Sequence, residues 1–411
     1  MSAYNADEEE GATSGTSAAA VSAFKRKEKL FKACANVAEA VSLGGALDLH
    51  RFGLDSAVAL PNSLTLRTLD DCGVEFSFRD YPGVFVLCHC LDRRTQIELA
   101  HHSLRESLSP PNATNLHAHW DSSKRAQLDA IWAEGSSALD GDGDSDGDDE
   151  SDEHEAEEEE AIARASKSKG GGKGGGREET GPPRGSVLSR VRWATLGYQY
   201  NWTERSYSKS RFVPFSAQLA QLAQRLAHAC SSRYSLAAEA GIVNFYPDNQ
   251  VMGGHRDDGE EALASPVVSV SIGPPCLFLL GGLDKTSEEP LPLVLRSGDV
   301  LVLGGEGRLR YHGVPRVWVA AEGCPAALHP RSAGAQAIHA CGCRLFLRSG
   351  DREGQGEGQG EGEGQGEGEA EGCSCGGVDE LEVRRALKFL RWARINVNLR
   401  QVFVGDEPGH A

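Results

Sequence analysis

Five short apolar segments between residues 241 and 303 constrain the fold of this chain more than any other feature. Each segment is four to seven residues long, and turns rich in Gly, Pro and Asp separate one from the next. Short strands with such turns predict an antiparallel sandwich or barrel rather than a parallel α/β sheet. The predicted strands are 241–246, 266–272, 276–280, 291–295 and 300–303. We therefore expect a mainly β protein with flanking helices.

The flanking helices are predicted from apolar residues that recur at helical spacing. The predicted helices are 23–41, 93–108, 122–134, 216–229 and 383–393. A turn at Tyr81-Pro82-Gly83 precedes a further strand, and alternation of polar and apolar residues over 394–404 predicts a final strand.

Two low-complexity blocks interrupt the chain. Residues 140–160 contain 14 acidic side chains and residues 353–371 contain 7 Glu, and neither block has a Lys or Arg. The negative charge of these two blocks exceeds the formal net charge of -18, so the rest of the chain is nearly neutral. The acidic composition of the whole chain therefore does not exclude a nucleic-acid partner. We predict a disordered N-terminus 1–22, an N-terminal helical and strand extension 23–137, an acidic and then Gly/Lys-rich insertion 138–185, and a domain 186–404 that contains a Gly/Glu-rich loop insertion 353–372.

Composition and terminal pattern favour an intracellular protein. No apolar run reaches the ~18 residues of a membrane span, and the first residues show neither a signal nor a transit pattern. An odd count of 11 scattered Cys predicts reduced thiols, and the Cys-x-Cys pairs lack the spacing of most structural zinc sites. We expect a monomer without membrane contact, in the nucleus or cytoplasm in preference to an organelle.

His255 and Asp257 follow the predicted strand 241–246. Residues two apart on an extended chain point to the same face, so both side chains can bind one metal ion. His312, which follows the strand 300–303, can supply a third ligand, and two His with one carboxylate is the arrangement of non-haem iron(II) oxygenases. A His-x-Asp sequence also occurs by chance, and a surface pair is the alternative.

The segment 394–400 alternates between polar and apolar side chains. Arg394, Asn396, Asn398 and Arg400 share one face of the predicted strand. If this face points inward, its guanidinium groups need an ionic partner, and two such groups suit a dicarboxylate. The alternative is a strand whose arginine side faces solvent.

Together these motifs resemble the AlkB family of iron(II)- and 2-oxoglutarate-dependent dioxygenases, most closely its homologue-1 type. The similarity covers about residues 186–404, and a weaker similarity is present at residues 80–85. The matching stretches are 192–202, 238–246, 255–257, 279–283, 296–299, 312–316 and 393–402. The resemblance implies a double-stranded β-helix (jelly roll) core with extra N-terminal helices.

The resemblance also implies roles for individual residues. It implies that three catalytic residues hold the iron, namely His255, Asp257 and His312. It also implies that a second set of residues binds 2-oxoglutarate, and that Arg394 binds its distal carboxylate. These residues are Asn244, Phe245, Tyr246, Arg394, Asn396 and Arg400. The implied substrate contacts are Trp132, Tyr198, Gln199 and Tyr200. Core packing is the alternative for Trp132, and also for Trp193.

The implied activity is oxidative demethylation of nucleic acids with Fe(II), 2-oxoglutarate and O2. An N-methyl group is hydroxylated and lost as formaldehyde, while the cosubstrate becomes succinate and CO2. The implied substrates are 1-methyladenine in tRNA and/or 6-methyladenine in DNA, and oxidation of 5-methylcytosine in RNA is a neighbouring activity. Gly259 stands where several repair enzymes of the family have an acid that touches the base, which disfavours direct alkylation repair.

Two other functions remain open. One is a nucleic-acid-binding module of the same fold without turnover, and the other is a protein hydroxylase. Release of formaldehyde distinguishes the demethylase from both. Basic residues near the motifs are candidates for phosphate contacts; they are Arg184, Arg190, Arg192, Arg205, Lys209, Arg211, Arg308, Arg310 and Arg316.

Overall fold

The computed structural model describes residues 21–52, 58–69, 73–116, 187–247, 250–286, 288–319 and 380–404. Several predictions lie outside these residues, namely most of the N-terminus 1–22, the helix 122–134 with Trp132, and the insertions 138–185 and 353–372.

The described helices and strands have the following bounds. The helices are α1 (Ala23–Lys32), α2 (Val37–Gly44), α3 (Arg93–Arg105), α4 (Ala217–Cys230) and α5 (Glu380–Phe389). The first strands are β1 (Leu47–Asp48), β2 (Leu64–Thr68), β3 (Val74–Phe78), β4 (Val84–Cys88), β5 (Trp193–Asn201), β6 (Ser206–Phe212) and β7 (Ala240–Pro247). The remaining strands are β8 (Met252–His255), β9 (Val267–Ile272), β10 (Cys276–Leu280), β11 (Leu291–Leu295), β12 (Val300–Leu303), β13 (His312–Val317) and β14 (Ala393–Arg400).

Within the described residues the strands form two sheets. The smaller sheet has five strands in the order β1-β11-β10-β13-β8, and the larger has nine in the order β2-β3-β4-β12-β9-β14-β7-β5-β6. Neighbouring strands are antiparallel except for β1 and β11, which are parallel. Apolar side chains from both sheets pack together in one core, so the sheets lie face to face. The predicted mainly β, jelly-roll fold with flanking helices is confirmed.

Alternation along β14 sorts its side chains between two environments. Ile395, Val397 and Leu399 pack in a large apolar core beneath α3, α4 and α5. The alternate residues face the space between the sheets, where Arg394 and Arg400 are almost completely buried. The prediction of an inward polar face is therefore confirmed, and the solvent-facing alternative is wrong.

The other sheet alternates in the same way. Leu277 and Leu279 of β10 pack outward against Phe24 and Phe31 of α1. Phe278, between them, points to the inner core. The layers therefore run from α1 and α2 through the small sheet and the large sheet to α3, α4 and α5.

The predicted single helix 23–41 is wrong, because the structure has two helices. α1 ends at Lys32, and Asn36 caps a new helix by accepting a hydrogen bond from Glu39 N at 2.9 Å. The Glu39 carboxylate in turn accepts from Ala35 N at 2.6 Å. This reciprocal capping fixes the helix start and outweighs continuous helical spacing.

Other predicted elements are present with shifted ends. β10, β11 and β12 have the predicted bounds, whereas α5 ends at Phe389 and Ala393 already begins β14. Seven strands were not predicted from the sequence, namely β1, β2, β3, β5, β6, β8 and β13.

The strands β2, β3 and β4 continue the large sheet. β4 pairs with β12, with Val84 opposite Leu303 and Leu87 opposite Val300. Residues from the predicted extension 23–137 and from the predicted domain 186–404 thus share one sheet. The boundaries themselves stay predictions. In the described parts of the chain, no helix combines the length and apolar character needed to cross a membrane.

The turn before β4 requires glycine at residue 83. Gly83 has φ 81°, and a Cβ atom there would lie 1.9 Å from the carbonyl oxygen of Gly304. The same close approach allows Gly304 N to donate to Gly83 O at 2.9 Å. Gly45 offers a comparison, because its φ is 68° but nothing lies within 4 Å of an added Cβ.

We expect Gly83→Ala to lower the free energy of unfolding by about 3 kcal/mol, since left-handed strain and a backbone collision combine. Gly45→Ala should cost about 1 kcal/mol, because only the strain applies. Urea denaturation of both variants measures the difference. Equal losses would contradict the role given to the close approach.

Candidate functional site

A pocket lies between the two sheets. Phe278, Leu295 and Leu301 contribute apolar side chains to its lining. The inward face of β14 contributes the polar wall. A pocket with an apolar lining and a few convergent polar groups is the usual form of a small-molecule site.

His255, Asp257 and His312 converge on this pocket. β8 and β13 are antiparallel neighbours with His255 directly opposite His312, and the two ring centroids lie 4.4 Å apart. Asp257 Oδ1 lies 3.9 Å from His255 Nε2. One ligand atom from each residue lies within 4.8 Å of the others, so the three can share one metal ion.

Backbone carbonyls orient both imidazoles. His255 Nδ1 lies 3.0 Å from Gly253 O, and His312 Nδ1 lies 3.1 Å from Arg310 O. A carbonyl can only accept, so each Nδ1 donates and Nε2 is the ring nitrogen that would bind a metal ion. This tautomer is the one that metal-binding histidines use.

The protonation states also suit metal binding. Burial, followed by the neighbouring His255, lowers the pKa of His312 to about 4, so this imidazole is neutral near pH 7. Burial alone would raise the pKa of Asp257, but the Arg400 guanidinium and the two histidines hold it well below its usual value. The site thus offers a neutral His312 imidazole and an ionised Asp257 carboxylate.

Arg400 fixes the Asp257 carboxylate. Arg400 Nη2 lies 3.2 Å from Asp257 Oδ2, and Nη1 donates to Glu260 Oε1 at 2.6 Å. Arg400 lines the pocket, and these contacts use two of its five N–H donors. Its predicted direct contact with a cosubstrate stays a prediction.

A second buried arginine completes this network. Arg308 Nη2 lies 3.0 Å from Glu260 Oε2, its Nη1 donates to Asp257 O, and its Nε donates to Ser265 O at 3.1 Å. The Glu260 side chain is 1% exposed. One buried carboxylate therefore bridges two buried guanidinium groups, and both of these groups contact Asp257.

Arg394 lies elsewhere on the same wall. The residue is 1% exposed, its Nη1 donates to Pro274 O at 2.9 Å, and its Nη2 donates to Ser271 Oγ at 2.6 Å. These acceptors are uncharged, so the positive charge is not neutralised by them. A guanidinium held in this way can bind a carboxylate that enters the pocket.

Two of the three predicted residues on β7 face the pocket. Asn244 and Tyr246 line it, whereas Phe245 packs in the core beneath the helices with its ring centroid 6.1 Å from that of Phe389. The prediction that Phe245 contacts 2-oxoglutarate is wrong for its side chain, because alternate residues of a strand point to opposite faces.

The asparagines of β14 are fixed by short contacts. Asn396 Nδ2 donates to Ser269 Oγ at 2.9 Å and to Val270 O at 3.0 Å. Asn398 Nδ2 donates to Asn396 Oδ1 at 2.9 Å. Asn396 lines the pocket as predicted, and its orientation is set before any ligand arrives.

Of the predicted residues on β5, Tyr200 lines the pocket. Tyr198 packs against Phe212 and Phe403, with ring centroids 4.7 and 4.8 Å away. Gln199 is buried, and its Nε2 donates to Gly197 O at 2.8 Å. The predicted substrate contact at Gln199 is therefore wrong, since its buried side chain bonds to the local backbone. Tyr198 is half-buried and does not line the pocket, and its predicted contact stays a prediction.

Trp202 lines the pocket and was not predicted as a contact. Its ring centroid lies 4.8 Å from those of both Tyr200 and Trp193. The aromatic composition of 192–202 was a usable signal, but it did not reveal which rings face the pocket. Trp193 packs on Trp202 and is not among the lining residues.

Two predicted phosphate contacts are wrong. Arg308 and Arg310 are buried, and Arg310 Nη1 lies 3.2 Å from Glu288 Oε2. Arg205, Lys209 and Arg211 are exposed on or beside β6. Arg184 lies outside the described residues.

Glu260→Gln removes the charge that compensates two buried guanidinium groups. We expect the free energy of unfolding to fall by about 3–5 kcal/mol, since a broken buried pair leaves an uncompensated charge. The neighbouring Glu261 is exposed, and Glu261→Gln should change stability by less than about 0.5 kcal/mol. Urea denaturation measures the free energy of unfolding of both variants. Similar values for the two would refute the bridging role of Glu260.

Comparison with known proteins agrees with this geometry. The family model described as 2OG-Fe(II) oxygenase superfamily matches residues 154–357, a range that contains His255, Asp257 and His312. The Mus musculus protein named nucleic acid dioxygenase ALKBH1 is 44% identical over 132 residues, which cover 32% of this chain and 33% of that protein.

Two further relatives align with different fractions of this chain. The Schizosaccharomyces pombe protein named tRNA demethylase abh1 is 36% identical over 132 residues, which cover 32% of this chain and 43% of that protein. The Arabidopsis thaliana protein named DNA N(6)-methyladenine demethylase ALKBH1A is 29% identical over 310 residues, which cover 73% of this chain and 81% of that protein. The chain thus spans about a third of the mouse relative and less than half of the yeast relative.

The matched residues include the convergent histidines and carboxylate, and the surrounding fold is the predicted jelly roll. The chain is similar to 2OG-Fe(II) oxygenases over residues 154–357 and, over parts of its length, to ALKBH1 proteins of the AlkB family.

Proposed function

We propose that this protein is an Fe(II)- and 2-oxoglutarate-dependent oxidative demethylase of nucleic acids. Its substrates are 1-methyladenine in tRNA and/or 6-methyladenine in DNA, and its products include formaldehyde, succinate and CO2. One observation carries the proposal: the cluster of His255, Asp257 and His312 lines the same pocket as Arg394. The name of the yeast relative supports tRNA as a substrate, and that of the Arabidopsis relative supports 6-methyladenine in DNA.

The donor set fits iron(II). Two imidazoles and one carboxylate can share an ion, and they would leave further positions of that ion open toward the pocket. When bound, iron(II) would supply the activation of O2 that couples decarboxylation of 2-oxoglutarate to hydroxylation of a methyl carbon. The protein's own part is to fix the ligands, hold the cosubstrate and exclude water.

Arg394 is the proposed partner of the distal carboxylate of 2-oxoglutarate. Its contacts with Ser271 and Pro274 use two of the five guanidinium N–H donors and fix the plane of the group. Asn244, Tyr246 and Asn396 line the pocket around it, in agreement with their proposed contacts. Burial raises the pKa of Tyr246, so its hydroxyl stays protonated and can donate.

The aromatic residues are proposed to hold the methylated base. A base must leave its stack to reach a buried metal centre, and aromatic rings stabilise the extruded base. Tyr200 and Trp202 offer such rings, and Gly259 leaves room beside them, since a Cβ there would lie 3.0 Å from Tyr200 Cε2. Exposed Arg205 and Lys209 lie on the same hairpin and suit phosphate contacts.

The proposal is tested by nucleoside mass spectrometry. Modified tRNA and modified DNA are incubated with the protein, iron(II), ascorbate and 2-oxoglutarate, and formaldehyde is measured in parallel. We expect loss of 1-methyladenine and/or 6-methyladenine with matching formaldehyde, and no turnover by His312→Ala. A folded, iron-loaded protein without formaldehyde release would favour a binding module. Hydroxylated protein without formaldehyde would favour a protein hydroxylase.

Arg394→Ala should raise the KM for 2-oxoglutarate by about 10–100-fold, because a charge-assisted hydrogen bond is worth about 1.5–3 kcal/mol. Arg394→Lys keeps the charge without the fork and should give an intermediate KM. Saturating 2-oxoglutarate should largely restore turnover, whereas a loss of folding would not be restored. An unchanged KM for 2-oxoglutarate would refute the assignment.

Tyr200→Ala should raise the KM for a methylated oligonucleotide by about 5–100-fold at saturating 2-oxoglutarate, since stacking contributes about 1–3 kcal/mol per base. Tyr198→Ala is the matched control, because it removes the same side chain two residues away from a packed position outside the pocket. Steady-state kinetics with both variants measures the difference. An equal effect of the two substitutions would contradict the proposed stacking.

The compartment and the oligomeric state stay predictions. We propose a monomer that acts in the nucleus or cytoplasm. Sedimentation analysis and cell fractionation test these two points independently of activity.

A further inference from the structure

A second cluster of metal-ligand side chains is present in the described part of the chain. It consists of His50, Cys88 and Asp299, and one ligand atom from each lies within 4.8 Å of the others. None of the three lines the pocket that contains His255 and His312. This cluster is therefore separate from the proposed iron site.

The sheet pairing brings the three residues together. β4 runs antiparallel to β12 with Leu87 opposite Val300, so Cys88 lies beside Asp299. β1 runs parallel to β11 with Asp48 opposite Val294, and the chain reaches His50 in the short helical segment that follows β1. Three distant parts of the sequence thus meet at one end of the two sheets.

The cluster combines deep burial with an access route. The side chain of Asp299 is 0% exposed, and that of His50 is 16% exposed. Cys88 is 1% exposed. A cation could therefore reach the cluster past the His50 imidazole, while the carboxylate and the thiol stay shielded from water.

The present contacts define the donor atoms. His50 Nε2 lies 2.9 Å from Asp299 Oδ1 and 3.0 Å from Asp299 Oδ2. Arg296 N donates to Asp299 Oδ2 at 2.8 Å and thereby orients the carboxylate. Zinc–ligand bonds of about 2.0–2.3 Å place two ligand atoms of one zinc ion roughly 3.3–3.8 Å apart. The side chains of the cluster therefore need to move only slightly to bind a zinc ion.

The charges around the cluster also suit a divalent cation. The nearby Arg296 guanidinium binds Asp48, with Nη2 at 2.7 Å from Oδ2, so that pair is already balanced. A divalent ion would balance the Asp299 carboxylate together with a Cys88 thiolate. Such a buried unit carries no net charge, which avoids the cost of an unpaired buried ion.

Cys88 is unsuited to act alone as a nucleophile. Burial, and then the neighbouring Asp299 and Asp48 carboxylates, hold the pKa of its thiol well above the usual value. A bound cation reverses this balance, because a coordinating thiol loses its proton. Thiolate, imidazole and carboxylate together are ligands of zinc rather than of magnesium or calcium.

We propose that His50, Cys88 and Asp299 form a structural zinc site. The ion ties the segment after β1 to the end of β4 and to the turn between β11 and β12. A fourth ligand is supplied by water or by His89, whose ring centroid lies 4.3 Å from that of His50. The site needs neither iron(II) nor 2-oxoglutarate, so it is independent of the proposed function.

Cobalt(II) titration of the metal-free, full-length protein tests the proposal. Cobalt bound by a cysteine thiolate gives a charge-transfer absorption band, whereas the proposed iron site contains no sulfur and gives none. We expect the band in the wild type and in His312→Ala. We expect its loss in Cys88→Ser and in His50→Gln, and its retention in the control Cys90→Ser.

Two results would overturn the proposal. One is the absence of a thiolate band in the wild type, and the other is a band that persists unchanged in Cys88→Ser. A second measurement covers the case in which Cys88→Ser does not fold. Zinc should raise the thermal unfolding midpoint of His312→Ala and leave that of His312→Ala/His50→Gln unchanged; equal midpoint shifts in the two proteins would also refute the site.

Discussion

The interior of this protein depends on the balance of charge around Arg400. This guanidinium is buried between the sheets, where an uncompensated charge would be strongly destabilising, and Asp257 and Glu260 compensate it from the loop after β8. Glu260 also compensates Arg308. The same contacts that allow an arginine inside a jelly roll therefore fix the carboxylate beside the two histidines, so stability and the geometry of the proposed metal centre share one network.

Much of the fold follows from local sequence patterns. The alternation along β14 predicts which side chains enter the core, because one face is uniformly apolar. The break between α1 and α2 was not predicted, since it depends on the cap at Asn36 rather than on apolar spacing. β5 was also missed, because its mixture of aromatic and polar residues becomes a strand through pairing with β7.

The residues of the candidate site could be predicted where their spacing or the family resemblance identified them. His255 and Asp257 follow from two-residue spacing, whereas Phe245 was included although strand alternation already separates it from its neighbours on β7. Glu260 could not be found from sequence, because its burial depends on arginines far along the chain. Cys88 was expected to be an ordinary thiol, since its proposed zinc partners come from distant segments and not from a Cys-x-Cys pair.

The central claim is that a cation and Arg394 bind one dicarboxylate together. Anaerobic equilibrium dialysis of 2-oxoglutarate, with and without iron(II), measures this most directly. We expect one bound molecule per chain and an affinity at least about tenfold higher with iron(II), equivalent to about 1.4 kcal/mol. Binding that iron(II) does not change, or no binding at all, would contradict it.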